Sequence, residues 1–156
     1  MRWNDLSEEN CSLARSLAIL GDRWTLLILR DAFLRVRRFE DFQTRLGIAR
    51  RVLTERLSGL VEAGVLEKVA YQERPLRHEY RLTKKGLDLY PVILSLVHWG
   101  DTHYAGEDGP PVLHRHKSCG HVFEPVLTCS CCAEAVDARA VEVVVPEPGK
   151  RPAGSN

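Results

Sequence analysis

No stretch of this chain approaches the ~18 consecutive apolar residues that a membrane-spanning helix requires. The opening residues Met1-Arg2-Trp3-Asn4 do not start a secretory signal either. A cytoplasmic protein with no membrane partner is therefore expected. Charge of one sign is also lacking, since 22 Lys and Arg stand against 21 Asp and Glu. Enzyme machinery is missing too: there is no phosphate-binding loop, no nucleophile motif and no pair of carboxylates at meaningful spacing. Catalysis is accordingly not expected. With 44% hydrophobic and 28% charged residues, composition indicates neither disorder nor membrane residence. A length of 156 residues suits one domain plus an appendage.

The near-zero net charge hides an asymmetry. Residues 1–105 carry 17 Lys and Arg against 14 Asp and Glu, whereas residues 106–156 carry 5 against 7. Between Arg35 and Arg56 there are seven arginines and three acids. Such a local excess is the footprint expected of a phosphate-contacting surface.

Within it lies Ile48-Ala49-Arg50-Arg51-Val52-Leu53-Thr54-Glu55-Arg56-Leu57-Ser58-Gly59-Leu60. Leu53, Leu57 and Leu60 recur at the spacing of one helix face. At about 100° per residue, Arg51, Glu55 and Ser58 fall opposite that seam, with Thr54 on its flank. Alone, the stretch is an ordinary solvated helix face. Its neighbours change that reading.

Residues 11–34 read as one strong helix, or two with a break near Gly21, where Asp22 is a plausible N-cap. Leu17, Leu20, Trp24, Leu27, Ile28 and Phe33 keep helical spacing, with Trp24 the expected core anchor. Arg37-Arg38 lead into a two-turn helix, Phe39 to Leu46, and Gly47-Ile48 forms a tight turn before the arginine-rich helix. Two short helices joined in this way are a helix-turn-helix signature. Gly64 closes the second helix. Val65–Tyr71 and Arg77–Leu82 then read as two strands around a turn at Gln72–Leu76, a wing tipped by Arg74 and Arg77. Thr83 should cap a last helix running from Lys84 to about Tyr104, kinked at Pro91. Its apolar surface predicts packing against a second copy of the chain, with Trp99 and Tyr104 as anchors. The fold expected is α+β, mainly α: a winged helix-turn-helix over residues 9–104 with flanking dimerisation helices, and a small C-terminal β lobe.

Cys11, Gly21-Asp22-Arg23-Trp24-Thr25, Ile28-Leu29-Arg30, Arg38-Phe39, Leu53-Thr54-Glu55-Arg56-Leu57, Tyr71-Gln72-Glu73-Arg74-Pro75, Tyr80-Arg81-Leu82-Thr83-Lys84-Lys85-Gly86 and Trp99-Gly100 occur in this order. Together, over roughly residues 9–104, they resemble the HxlR family of bacterial winged-helix transcriptional regulators, which are similar in shape to the MarR group. The resemblance implies a homodimer on a pseudo-palindromic operator, usually repressing, with dimer contacts through the first and last helices. It also implies that some members sense electrophiles or oxidants through a cysteine at the position of Cys11. Nothing in the local sequence beyond Arg15 would depress the pKa of Cys11, so a buried structural cysteine is the preferred reading and redox sensing the other.

Under this reading double-stranded DNA is the partner. Arg51, Thr54 and Ser58 face the groove, Arg50 and Arg56 line its edges, and Arg38, Arg74 and Arg77 hold phosphates. Glu55 could accept from a cytosine amine.

Gly106 to Pro111 breaks the chain before a Cys/His-rich lobe at residues 112–145. His116 and Cys119 share the x₂ spacing of a zinc knuckle, and so do Cys129 and Cys132. Together they could form a Cys₃His structural zinc site, with His114, His121 and Cys131 as spare ligands. Packed cysteines or a labile disulfide are the alternative. Val141–Val145 reads as a final strand, and residues 146–156 as a disordered tail. A second function class follows from this lobe and from Cys11: a thiol- or metal-based stress sensor responding to an oxidant or small-molecule inducer.

Overall fold

Gly21 and Asp22 decide where the first apolar segment breaks. In the computed structural model, which describes residues 7–145, helix α1 spans Ser12–Leu20 and helix α2 spans Arg23–Phe33. Asp22 Oδ1 accepts from the backbone N–H groups of Trp24 at 2.9 Å and Thr25 at 3.3 Å. These are two of the four donors that a helix start leaves orphaned. Trp24 is only half-buried and Leu17 is exposed; the anchors are Ile28 and Leu29, neither with any accessible surface. Of the stripe expected from periodicity, Ile28 lies in the core and Leu20, Trp24 and Phe33 pack against it, while Leu17 does not.

Helix α3 (Phe39–Leu46) ends at Gly47, whose φ of 59° is the left-handed conformation a tight turn into the next helix needs. Helix α4 follows at Arg50–Glu62. Its leucine seam is fully sequestered, with Leu53 and Leu57 at 0% and Leu60 at 2% exposure. Each buried leucine contributes roughly 1.5–3 kcal/mol. Past the cap residue Ala63, Gly64 takes φ 68° and turns the chain into the wing.

The wing is an antiparallel pair, β1 (Leu66–Glu73) with β2 (Leu76–Leu82), registered Leu66↔Leu82 at its base and Glu73↔Leu76 at its tip. Only Arg74-Pro75 lies between the strands, a tighter turn than the sequence suggested. A register shift between Ala70 and Gln72 bulges Tyr71 out of the ladder. A contact not foreseen from sequence joins the wing to the start of α3: Arg38 bridges Glu79, and Tyr80 N–H donates to the Arg37 carbonyl at 2.8 Å.

The expected single helix from Lys84 to Tyr104 is instead two: α5 (Lys84–Leu87), capped by the Thr83 side chain, and α6 (Tyr90–Tyr104). Pro91 therefore does not kink a helix interior. It occupies the first turn of α6, where its missing N–H has no partner to lose. Ile28, Leu29, Phe42, Ile48, the α4 leucines, Val65, Leu66 and Ile93 make one core.

The chain divides after Pro111 into a second compact unit. It contains two short hairpins, each held by an isolated bridge, Arg115↔Val122 and Thr128↔Ala135. Val141–Val145 is not a strand; it pairs with no other described residue, and Val143, Val144 and Val145 stand 76–87% exposed. Five consecutive β-formers predict a strand only where another strand is there to pair with them. The expected tail at residues 146–156 lies outside the described residues.

Candidate nucleic-acid interface

The leucine seam of α4 is clamped from below, which leaves Arg51, Thr54, Glu55 and Ser58 on the solvent face. Thr54 Oγ1 donates to the Arg50 carbonyl at 2.9 Å. The Arg51 side chain is 91% exposed and its Nε donates to Glu55 Oε1 at 3.0 Å. An exposed (i, i+4) pair is worth only about 0.3–0.5 kcal/mol. A bidentate arginine–guanine contact discriminates by ~1–3 kcal/mol, so the Glu55 pair is weak enough for such a contact to displace it.

The C-terminal end of α4 is held by Thr83, expected only as a cap on the next helix, and by Lys85 and Gly86. Thr83 Oγ1 donates to the Gly64 carbonyl at 2.6 Å, and Lys85 Nζ to the Ala63 carbonyl at 2.7 Å. These are carbonyls that a helix end leaves unpaired. Gly86 presses against the same turn, because a Cβ there would collide with the Val65 carbonyl oxygen. Thr83, Lys85 and Gly86 thus fix the angle at which α4 leaves the core. Asp31 is a second unforeseen element. It is completely buried on α2 and accepts from Arg30 Nε at 2.9 Å and Arg45 Nε at 3.3 Å, tying α3 to α2.

Arg56, expected at the groove edge, is turned toward the start of α2. Its guanidinium donates to Asp22, 2.9 Å from Nε to Oδ1 and 3.4 Å from Nη2 to Oδ2. It faces α2 because position 56 is one step before the buried Leu57. Partial burial pushes the Asp22 carboxyl up, but Arg56 and the Trp24 and Thr25 amides outweigh that and hold it below the usual aspartate range. Arg56 thus ties α4 to the start of α2.

The remaining predicted residues are placed as follows. Arg50, at the first turn of α4, lies over the Phe39 ring at 4.8 Å. Arg38 stacks on Tyr71 at 4.6 Å and sits 3.9 Å from Glu79, a half-buried carboxylate also approached by Arg37 and Arg81. Arg74 and Arg77 are exposed on the wing, and neither has an acidic partner within 4.0 Å among the described residues. A cleft of about 240 Å³ runs between the start of α4 and the wing, lined by Arg50, Lys68, Tyr71, Arg77 and His78 among others. Three cations line it against the single acid Glu40. Lys68, unremarkable in sequence, also lines this cleft.

Cys11 is exposed, not buried as expected; it is the N-cap residue of α1, and that helix buries none of its residues. In the C-terminal unit, Cys119 Sγ lies 3.5 Å from His116 Nδ1, and the Cys131 N–H donates to Cys129 Sγ at 3.5 Å. The Cys131 and Cys132 amides hold the Cys129 thiol below the ordinary cysteine range. The predicted ligands are thus brought together as two pairs. Among the described residues, no three His, Cys, Asp or Glu side chains converge on one point. No described helix is long and apolar enough to cross a membrane.

Comparison with known proteins agrees with this geometry. The family profile for HxlR-like helix-turn-helix proteins matches residues 19–108. The uncharacterized HTH-type transcriptional regulator Rv3095 of Mycobacterium tuberculosis is 47% identical over 151 residues, 96% of this chain and 94% of its own. The crystal structure of PA1607, a candidate transcription factor, superposes with a TM-score of 0.79 at 33% identity, covering 88% of this chain and 96% of that one. The redox regulator HypR in its reduced form gives a TM-score of 0.56 at 26% identity over 61% of this chain and 95% of its own. The chain belongs to the HxlR family of helix-turn-helix transcriptional regulators.

Proposed function

We propose that the protein is a homodimeric, sequence-specific repressor that binds a pseudo-palindromic operator through α4 and its wing. The observation that carries this reading is the polar face of α4. Arg51, Thr54 and Ser58 project from a helix whose other face is locked into the core, and the unpaired Arg74 and Arg77 flank it. Base edges are read by such side chains in the major groove, while the wing arginines hold phosphate.

Dimerisation is supported by α1 and α6. Val92, Leu96 and Trp99 fall at i, i+4 and i+7 on α6 and remain 47%, 48% and 55% exposed, while Leu13 on α1 is 68% exposed. The Trp99 ring meets those of His103 and Tyr104 on its own helix, with centroids 5.2 and 5.3 Å apart. A contiguous apolar stripe of this kind marks an interface, and a two-fold dimer addresses two half-sites one helical turn or a multiple apart. The test is footprinting on selected DNA alongside light scattering. A symmetric protected site holding two chains agrees with the proposal; an asymmetric site holding one chain contradicts it. Repression is tested by a reporter behind the operator, whose output should rise when the gene is deleted.

A second reading is favoured by one observation: Cys11 is exposed at the start of a proposed dimer helix, and HypR, a structural neighbour, is a redox regulator. If Cys11 triggers release, diamide treatment abolishes DNA binding by the wild type and spares Cys11→Ser. Equal responses of the two proteins remove Cys11 from that role.

A further inference from the structure

The C-terminal unit poses a physical problem of its own. Among its described residues, 112–145, not one is buried; Val126 and Leu127 are 67% and 73% exposed, and even Phe123 is 36% exposed. A lobe this small cannot close a hydrophobic core, and chains below about 40 residues usually need a disulfide, a metal or a partner. All four of its cysteines are free thiols. Yet the unit is not irregular, because its two hairpins repeat one design.

In the first, His116 N–H donates to the His121 carbonyl at 2.9 Å, Gly120 N–H donates back to the His116 carbonyl at 2.8 Å, Gly120 has φ 74°, and Arg115 bridges Val122. In the second, Cys129 N–H donates to the Glu134 carbonyl at 2.9 Å, Ala133 N–H donates back to the Cys129 carbonyl at 2.9 Å, Ala133 has φ 60°, and Thr128 bridges Ala135. Position for position the frames are the same: bridge, first ligand, left-handed fifth residue, bridge. Ala133 adopts a conformation that costs a non-glycine residue about 1–2 kcal/mol, so the turn shape is held in spite of the residue in it.

Each frame presents a ligand pair at its first and fourth positions: His116 with Cys119, and Cys129 with Cys132. Cys119 Sγ and His116 Nδ1 are 3.5 Å apart. In a tetrahedral site with Zn–N of about 2.0–2.1 Å and Zn–S of about 2.3 Å, the N···S edge is about 3.6 Å. In the second frame the Cys131 amide points at Cys129 Sγ, 3.5 Å away, and a donor so placed stabilises a metal-bound thiolate. Residues 123–127 join the hairpins, long enough for one to fold back onto the other.

We propose that this unit is a two-knuckle structural zinc module, in which His116, Cys119, Cys129 and Cys132 bind one Zn²⁺ per chain. The two pairs stand apart in the structure, and Zn²⁺ draws them together. The ion takes neutral His116 and three thiolates, so binding releases the three thiol protons to water and leaves a site of net charge −1. Four protein ligands close the coordination sphere, which makes the site structural, with no open position for substrate. Cys131, His114 and His121 are not ligands. The module is independent of the DNA-reading proposal, and either can fail without the other.

The test uses the full-length protein purified under reducing conditions without chelator. About one zinc per chain is expected, and Co²⁺ exchanged into the site should show the visible bands of a tetrahedral ion with thiolate charge transfer. Cys119→Ser and Cys129→Ser should each lower zinc to background and erase the Co²⁺ bands, while Cys131→Ser and His121→Ala keep both. DNA binding by each variant reports that the winged unit is folded. Wild-type protein that takes up neither zinc nor tetrahedral Co²⁺ overturns the proposal. So does metal retained by Cys119→Ser or Cys129→Ser, or lost from Cys131→Ser.

Discussion

Arg56 is the residue on which sequence and structure disagree most sharply, and removing it separates the two roles. Its ion pair with Asp22 spans 2.9 Å, with side-chain exposures of 35% and 32%. At an effective dielectric near 20, such a pair has a Coulomb energy of about 4 kcal/mol. Solvent screening and the ordering of a long side chain reduce the net to roughly 1 kcal/mol at this exposure. Arg56→Ala therefore costs about 1 kcal/mol, which for a folded unit of roughly 100 residues lowers Tm by about 4–8 °C. Asp22→Ala also removes the cap on α2, typically about 1 kcal/mol more, so its Tm should fall about twice as far. The double variant should match Asp22→Ala closely, because both substitutions remove one interaction.

Thermal melts supply these values, and fluorescence anisotropy on selected DNA, at a temperature where every variant is folded, supplies the affinity. Affinity should change by less than about threefold, under 1 kcal/mol. A tenfold loss for Arg56→Ala with an unchanged Tm would refute the reasoning and return Arg56 to the groove. The pH dependence follows from the sign of the shift. Asp22 is held below its ordinary value by Arg56 and two amides against partial burial, so its folded pKa lies under the unfolded one. The pair's contribution is complete above the unfolded aspartate pKa of about 3.9 and disappears only as pH falls through the lower folded value. The stability gap between wild type and Asp22→Asn should thus stay flat from pH 7 to about 4 and narrow below it.

Three further outcomes are expected. Gly86→Ala forces a Cβ into the Val65 carbonyl; it should destabilise the winged unit by about 1–3 kcal/mol, read by chemical denaturation, whereas a neutral effect would mean that the turn can shift freely. Arg74→Ala should weaken binding to all DNA sequences alike and reduce the salt slope by about 1, measured by titration at several salt concentrations; weakening confined to one sequence would make Arg74 a base reader. Trp99→Asp on the exposed face of α6 should convert dimer to monomer in light scattering at micromolar concentration without lowering helix content, since Trp99 packs outside the monomer core; an unchanged mass would place the interface elsewhere.

What was legible in the sequence was what periodicity and caps control. The leucine seam of α4, the Gly47 turn, the Asp22 and Thr83 caps and the two wing strands all stand where local chemistry put them. What was not legible depended on partners distant along the chain. Arg56 looked like one more exposed arginine because Asp22 is 34 residues away. Asp31 reads as a surface acid until Arg45 of α3 comes to meet it. Val141–Val145 has the composition of a strand but no partner among the described residues. Pro91 looks like a kink inside one long helix, but Asp88 and Leu89 separate α5 from α6 and leave it in the first turn of α6. Lys68 had no sequence signal at all; only the cleft beside Arg50 gives it a role. The repeated knuckle frame was half visible, in the ligand spacing, while the matching hydrogen bonds around Gly120 and Ala133 belong to the structure alone.

The central claim is that Arg51, projecting from a core-locked α4, reads a base. It is tested most directly by selecting bound sequences from a random DNA pool with the wild type and with Arg51→Ala. The account predicts a symmetric consensus for the wild type. For Arg51→Ala it predicts loss of preference at one base pair in each half-site, with affinity for the wild-type consensus lower by about 1–3 kcal/mol. An identical consensus selected by both proteins at equal affinity would contradict it.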